Sequence, residues 1–180
     1  MQNRYDSGDV QRFLDALVGK LAASFVPASP LNLVGIRTRG ETLAERLTQL
    51  LRQRGFSQIG RGVLDITLYR DDLSEIGPRP LVQPTHLDID IDGAPMVLVD
   101  DVIFTGRTVR AALSELGDFG RPSVIRLAAL VDRGGRELPI QPDYVGLDLG
   151  ELPRELRVKV RLTESDELDE IIVGPRDARV

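Results

Sequence analysis

The sequence predicts an α/β domain, a mostly parallel sheet with helices on both faces. Short apolar runs at 31–36 (LNLVGI), 62–69 (GVLDITLY), 95–101 (PMVLVDD) and 123–131 (SVIRLAALV) read as buried strands. Segments with apolar residues at helical spacing lie between them. The resulting order of strand, helix, strand, strand, helix, strand favours parallel pairing through helical crossovers.

In chain order, Val10, Phe13, Leu14, Leu17 and Leu21 recur on one helical face, and Asp6, Ser7 and Asp9 just ahead supply capping groups. After the strand at 31–36, Leu43, Leu47, Leu50 and Leu51 mark a second helix that Gly55 ends. The strand at 62–69 runs into a polar stretch with Asp71, Asp72, Gly77, Pro78 and Pro80, which reads as a mobile loop. An Asp92-Gly93 turn precedes the strand PMVLVDD, and Val109, Ala112, Leu113 and Leu116 define the helix that follows it. From Arg136 to Val173 short apolar runs alternate with proline and glycine. Arg136 to Pro142 and the acidic stretch from Glu164 to Glu170 read as solvated loops, and His86 as a surface residue.

Composition narrows the chemistry. A chain of 180 residues, 42% apolar and 28% charged, suits one domain over 1–180 and shows no repeat or linker. The net charge of -5 gives no overall field that would attract nucleic acid. The absence of cysteine excludes a disulfide framework, thiolate catalysis and cysteine-based zinc sites, and a single histidine excludes a His-rich metal cage. Catalysis is left to carboxylates, arginines, backbone amides and an oxygen-held metal. No apolar run approaches the length of a membrane span or signal peptide, so a cytoplasmic protein without a membrane partner is expected.

The segment VLVDDVIFTGRT at 97–108 joins a buried strand to a helix, the place where open α/β sheets bind ligands. Thr105, Gly106, Arg107 and Thr108 stand where the helix begins, with hydroxyls, a glycine and unpaired amides at the positive end of the dipole, which suits a phosphomonoester. Asp100 and Asp101 repel phosphate, but they can accept hydrogen bonds from a vicinal diol or shape a magnesium site. Phosphate at one end and diol at the other describe a ribose 5-phosphate. The chain contains neither G-x-x-x-x-G-K-[ST] nor G-x-G-x-x-G, so a P-loop or dinucleotide site is unsupported.

This segment resembles the phosphoribosyl pyrophosphate (PRPP) signature of type I phosphoribosyltransferases. Together with GIRTRG at 35–40, LDITLYRDDLSEIG at 64–77 and LVDRGGRELPIQPDYVG at 130–146, it is similar to the bacterial pyrimidine operon attenuation regulators that double as uracil phosphoribosyltransferases. The resemblance runs from about Leu33 to about Val160. It implies the type I fold with a small C-terminal hood formed largely by about 132–173. It also implies transfer of ribose 5-phosphate from PRPP to uracil, giving UMP and pyrophosphate, with UMP and UTP as ligands, Mg2+ as the metal and a dimer or tetramer as the assembly.

The resemblance assigns Thr38, Arg39 and Gly40 to a pyrophosphate loop, with Arg39 as a bidentate phosphate fork, and residues 105–108 to the 5-phosphate. Asp100 and Asp101 hold the ribose hydroxyls, Asp100 through magnesium, and together with Arg39 they form the catalytic set. Arg70, Asp71 and Asp72 open a flexible loop that closes over the reacting centre. Val131, Asp132, Arg133 and Val158 line the base site in the hood; Asp132 and Arg133 alternatively form a strand-end ion pair.

The family's regulatory role uses a basic surface for messenger RNA, and here the sequence departs from it. Gly135 replaces the usual histidine, Gly146-Leu147-Asp148 replaces Gly-Lys-Asn, and Gly150-Glu151-Leu152 stands where Pro-Thr-Ser is usual. The first helix keeps only Arg12 and Lys20 of its basic face. Phosphate contacts dominate RNA affinity, so weak messenger RNA binding is expected. An enzyme is the leading expectation. A uridine-nucleotide sensor with little activity, or a transferase for a purine or orotate, would use the same phosphate contacts.

Overall fold

The computed structural model describes residues 3–66, 85–87 and 89–175. In chain order the elements are β1 (Asn3–Tyr5), α1 (Ser7–Ser24), β2 (Leu31–Ile36), α2 (Arg39–Gln53), β3 (Ile59–Leu64), β4 (Pro95–Ile103), α3 (Arg107–Leu116), β5 (Val124–Asp132), β6 (Tyr144–Asp148), β7 (Leu156–Arg161), α4 (Thr163–Asp166) and β8 (Glu170–Pro175). Among the described residues, no helix is long and apolar enough to cross a membrane.

The central sheet has the order β3-β2-β4-β5-β6 and every neighbouring pair is parallel. Its side chains alternate between two cores. Leu31, Leu33, Val97 and Val99 join α1 and α2 on one face, while Val34, Ile36, Met96 and Leu98 join α3 on the other. Two strands buried on both faces explain why their sequences are continuous apolar runs. The α1 start follows its capping chemistry: Asp6 accepts from the Asp9 amide at 3.0 Å, and Asp9 accepts from the Asp6 amide at 3.1 Å. The end of α2 follows Gly55, whose φ of 91° stops the helix.

Two boundaries differ from the sequence reading. β3 begins at Ile59, because Gly60 and Gly62 sit within a strand paired from Leu31↔Ile59 to Ile36↔Leu64; glycines that look like punctuation are tolerated at this sheet edge. Residues 67–69 of the expected strand lie outside the described residues. In the tail, β6 adds to the central sheet through Ala128↔Tyr144. The smaller antiparallel sheet, order β1-β8-β7, takes its third strand from the chain's first residues, Asn3↔Val173 to Tyr5↔Ile171. A three-residue edge strand carries no periodicity to read.

The stretch from Glu164 to Glu170, expected to be solvated, instead docks on α2. Arg46 donates to both oxygens of Asp169 at 2.6 and 2.8 Å and to both oxygens of Glu164 at 2.8 and 2.5 Å. The Arg46 guanidinium holds Asp169 down at about 2 and holds Glu164 below its ordinary value, burial opposing in each case. A carboxylate depressed on folding adds stability above its unfolded value of 3.8 and loses it as pH falls through about 2. The Asp169 arm is expected to contribute about 2 kcal/mol near neutrality. Thermal melts between pH 5 and pH 2 should show this loss in the wild type, and Arg46→Ala should flatten it; an equally steep fall in the variant would remove the clamp as its cause.

Candidate active site

The chain turns from β2 outward to β3 and then returns to place β4 on the other side of β2. This reversal makes a topological switch point, with α2 leaving β2 on one face and α3 leaving β4 on the other. A crevice at the carboxyl ends of two such strands is where ligands bind in open α/β sheets. Residues 37–40 and 100–108 both lie there.

The two segments meet backbone to backbone. A Cβ on Gly40 would overlap the Val99 carbonyl oxygen and lie 3.4 Å from the Asp100 Cα. A Cβ on Gly35 would overlap the Gly40 carbonyl and lie 2.6 Å from the Glu41 nitrogen. Gly40 is therefore needed for close approach within the first turn of α2. Thr38 caps α2 without a side-chain hydrogen bond, and the Arg37–Thr38 peptide is cis. Arg39 follows in the first helical turn, and its Nη2 donates to both oxygens of Asp166 at 3.1 and 3.0 Å.

Asp100 is buried and accepts from the Asp101 amide at 3.0 Å; Asp101 accepts from the Val102 amide at 2.9 Å. Burial raises the Asp101 carboxyl above its ordinary value, and the Val102 amide and the charge of Arg39 oppose that rise only in part. A carboxyl held this way gains from any cation placed beside it. Among the described residues no cluster of three or more His, Cys, Asp or Glu could hold a metal.

The turn into α3 is opened by Gly106 at φ 91°, with no acid in the first turn; the Arg107 amide donates to the Thr105 hydroxyl at 3.3 Å, and the helix start carries a positive field. Segment 133–140 supports this turn. The Thr105 carbonyl accepts from the amides of Glu137 and Leu138 at 3.0 and 3.1 Å, and the Phe104 carbonyl accepts from Arg136 at 2.9 Å. Arg136 also pairs with Asp132 at 2.5 Å, and Arg107 with Glu137 at 2.9 Å. Arg136 to Pro142 is thus a buttress, which corrects its reading as a solvated loop. The density of Arg and Glu beside RGG was the available signal, but their partners lie about 30 residues away in sequence, for example Phe104 and Arg136.

The expected base-site residues divide. Val131 is fully buried in the core between β4 and β6, so its side chain meets no ligand. Arg133, 4% exposed, donates to the carbonyls of Leu156 at 2.7 Å and Pro153 at 3.1 Å and lies over the Phe104 ring at 4.0 Å. Its two terminal nitrogens hold the hood turn, while its Nε is buried with no hydrogen-bond partner among the described residues; Asp132 pairs with Arg136, not with Arg133. Val158 sits half-buried on β7 opposite Val173. Arg70, Asp71 and Asp72 lie outside the described residues. His86 is exposed and bridges β3 at Val63.

Comparison with known proteins agrees with this architecture. Residues 9–156 match the phosphoribosyl transferase domain. The chain is 46% identical over 172 residues to the bifunctional protein PyrR of Deinococcus radiodurans, covering 95% of this chain and 93% of that protein. It is 55% identical over 141 residues to that of Chloroflexus aurantiacus, covering 78% and 77%. A hypoxanthine phosphoribosyltransferase from Trypanosoma cruzi superposes with a TM-score of 0.71 at 18% identity, covering 97% of this chain and 95% of that one, and shares the fold. With its crevice formed by the turns after β2 and β4, and with this similarity along nearly its whole length, the chain belongs to the bifunctional PyrR family and carries a phosphoribosyl transferase domain.

Proposed function

We propose that this protein is a uracil phosphoribosyltransferase, making UMP and pyrophosphate from uracil and PRPP. The observation that carries the reading is the convergence, at one switch point, of the α2 start with Arg39, the adjacent carboxylates of buried Asp100 and half-buried Asp101, and the glycine-opened start of α3. Their order along the crevice matches pyrophosphate, ribose diol and 5-phosphate.

In the reaction, uracil N1 attacks ribose C1 as the C1–O bond to pyrophosphate breaks and its electron pair leaves with the pyrophosphate, the N1 proton passing to solvent. Positive charge spreads over the ribose ring in the transition state. Asp100 and Asp101 orient the hydroxyls and stabilise that charge, and Arg39 with the first α2 amides takes up charge on the leaving group. The amides of residues 106–108 anchor the 5-phosphate. Among the described residues no cluster of three or more His, Cys, Asp or Glu could hold a metal, and two adjacent carboxylates fit a magnesium ion that keeps substrate oxygens and water as its other ligands. Asp100 would hold it, directly or through water, and when bound it supplies charge neutralisation at the diol and pyrophosphate.

RNA binding by this chain is proposed to be weak. Of the two cations kept on α1, Lys20 donates to the Val145 carbonyl at 2.7 Å and Arg12 pairs with Asp9. Both are engaged within the chain, on a protein of net charge -5. The enzyme reading predicts magnesium-dependent release of pyrophosphate from PRPP with uracil, and much less with hypoxanthine or orotate. Tight uridine-nucleotide binding without turnover on any base would replace it with a sensor.

A further inference from the structure

We propose that Asp166, on the hood side of the crevice, is a positioning residue for Arg39; this rests on the phosphoribosyltransfer reading above. The contact spans 127 residues of sequence and joins the hood turn to the first turn of α2. It grips Arg39 by one nitrogen alone, Nη2, which donates to both carboxylate oxygens at 3.1 and 3.0 Å. The Nε of the same guanidinium is buried with no hydrogen-bond partner among the described residues. A buried donor left without a partner is costly and marks a place where a ligand atom is expected. A guanidinium otherwise has several rotatable bonds, and fixing it at one corner aims its remaining donors before the substrate arrives.

Asp166 is itself held. Its Oδ2 accepts from the Leu162 amide at 3.2 Å and the Ser165 hydroxyl at 3.0 Å, and its own amide donates to the Leu162 carbonyl at 2.8 Å. The turn that carries it is clamped to α2 one helical stretch further on by Arg46. Across the crevice, the charge of Arg39 acts on Asp101. Arg39 thus sits between a carboxylate that fixes it and a carboxylate that belongs to the ribose side. The hood, by this contact, sets the geometry of the pyrophosphate end as well as the base end.

The test compares wild type, Asp166→Asn, Asp166→Glu, Arg39→Lys and the Asp166→Asn/Arg39→Lys double variant, with Glu155→Gln, an exposed hood carboxylate, as control. Binding of PRPP and of inorganic pyrophosphate with magnesium is measured by calorimetry, and kcat and KM by pyrophosphate release. Asp166→Asn is expected to weaken both ligands by about tenfold while the KM for uracil and the melting temperature hold. Asp166→Glu, which keeps the charge on a longer arm, should recover part of the loss, and Glu155→Gln should show none. Asp166→Asn should add nothing in the Arg39→Lys background. Unchanged or tighter PRPP binding in Asp166→Asn, or additive losses in the double variant, would overturn the proposal while leaving the transferase reading intact. Wild-type protein that binds neither PRPP nor pyrophosphate would end both.

Discussion

Asp101→Asn is expected to lower kcat/KM for uracil-dependent pyrophosphate release by about 10²- to 10³-fold, the scale seen when one preorganised electrostatic group is removed from a transition state. The substitution keeps the shape and one acceptor, so the Val102 amide at 2.9 Å retains a partner. What disappears is the negative charge that, on the proposed mechanism, stabilises the cationic sugar. The same change should leave the melting temperature level or raise it. Burial holds the Asp101 carboxyl above its ordinary range, so its ionised form costs the folded state free energy that a neutral amide does not. Activity lost without stability lost is the signature of a functional carboxylate. Full activity in Asp101→Asn would remove it from the mechanism.

Gly40→Ala is expected to have the largest effect on the fold and the site together. The new Cβ would overlap the Val99 carbonyl oxygen, and that carbonyl cannot retreat. Val99 is in register with Gly35 of β2 on one side and Ala128 of β5 on the other, in the middle of the central sheet. The first turn of α2 must therefore lift, at a cost of about 3 kcal/mol, carrying Arg39 away from Asp101. Thermal melting should fall markedly and PRPP affinity should drop with it. Gly19→Ala is the control: it lies within α1 with its nearest neighbour 3.7 Å away, and alanine there should stabilise the helix by about 0.5–1 kcal/mol. Unimpaired PRPP binding by Gly40→Ala would show that the close approach is not needed for the site.

The expectations that held were those written in local periodicity. The span of β2 follows from LNLVGI alone, and α1 from its apolar face with Asp6 and Asp9 ahead. The placing of Asp100, Asp101 and residues 105–108 at a strand-to-helix junction was legible for the same reason, since a buried strand and an amphipathic helix both announce themselves over a few residues. Gly40 was expected to matter for its amide; its contact with the Val99 carbonyl was not legible, because the two are far apart in sequence.

Long-range partnership was decided by tertiary structure. Nothing local tells that Asn3 pairs with Val173, that Arg136 holds the Phe104 carbonyl, or that Arg133 is spent on the carbonyls of Pro153 and Leu156. A polar side chain in a sequence looks the same whether it faces water or a carbonyl from a distant turn, because burial is a property of the packed chain. The sequence by itself determined the α/β architecture and the chemistry available at the crevice, through hydrophobic period and residue type. The folded structure alone decided which charges face a ligand and which, such as Arg46 on Asp169, serve to hold the hood, because that depends on what the packing brings within hydrogen-bond reach.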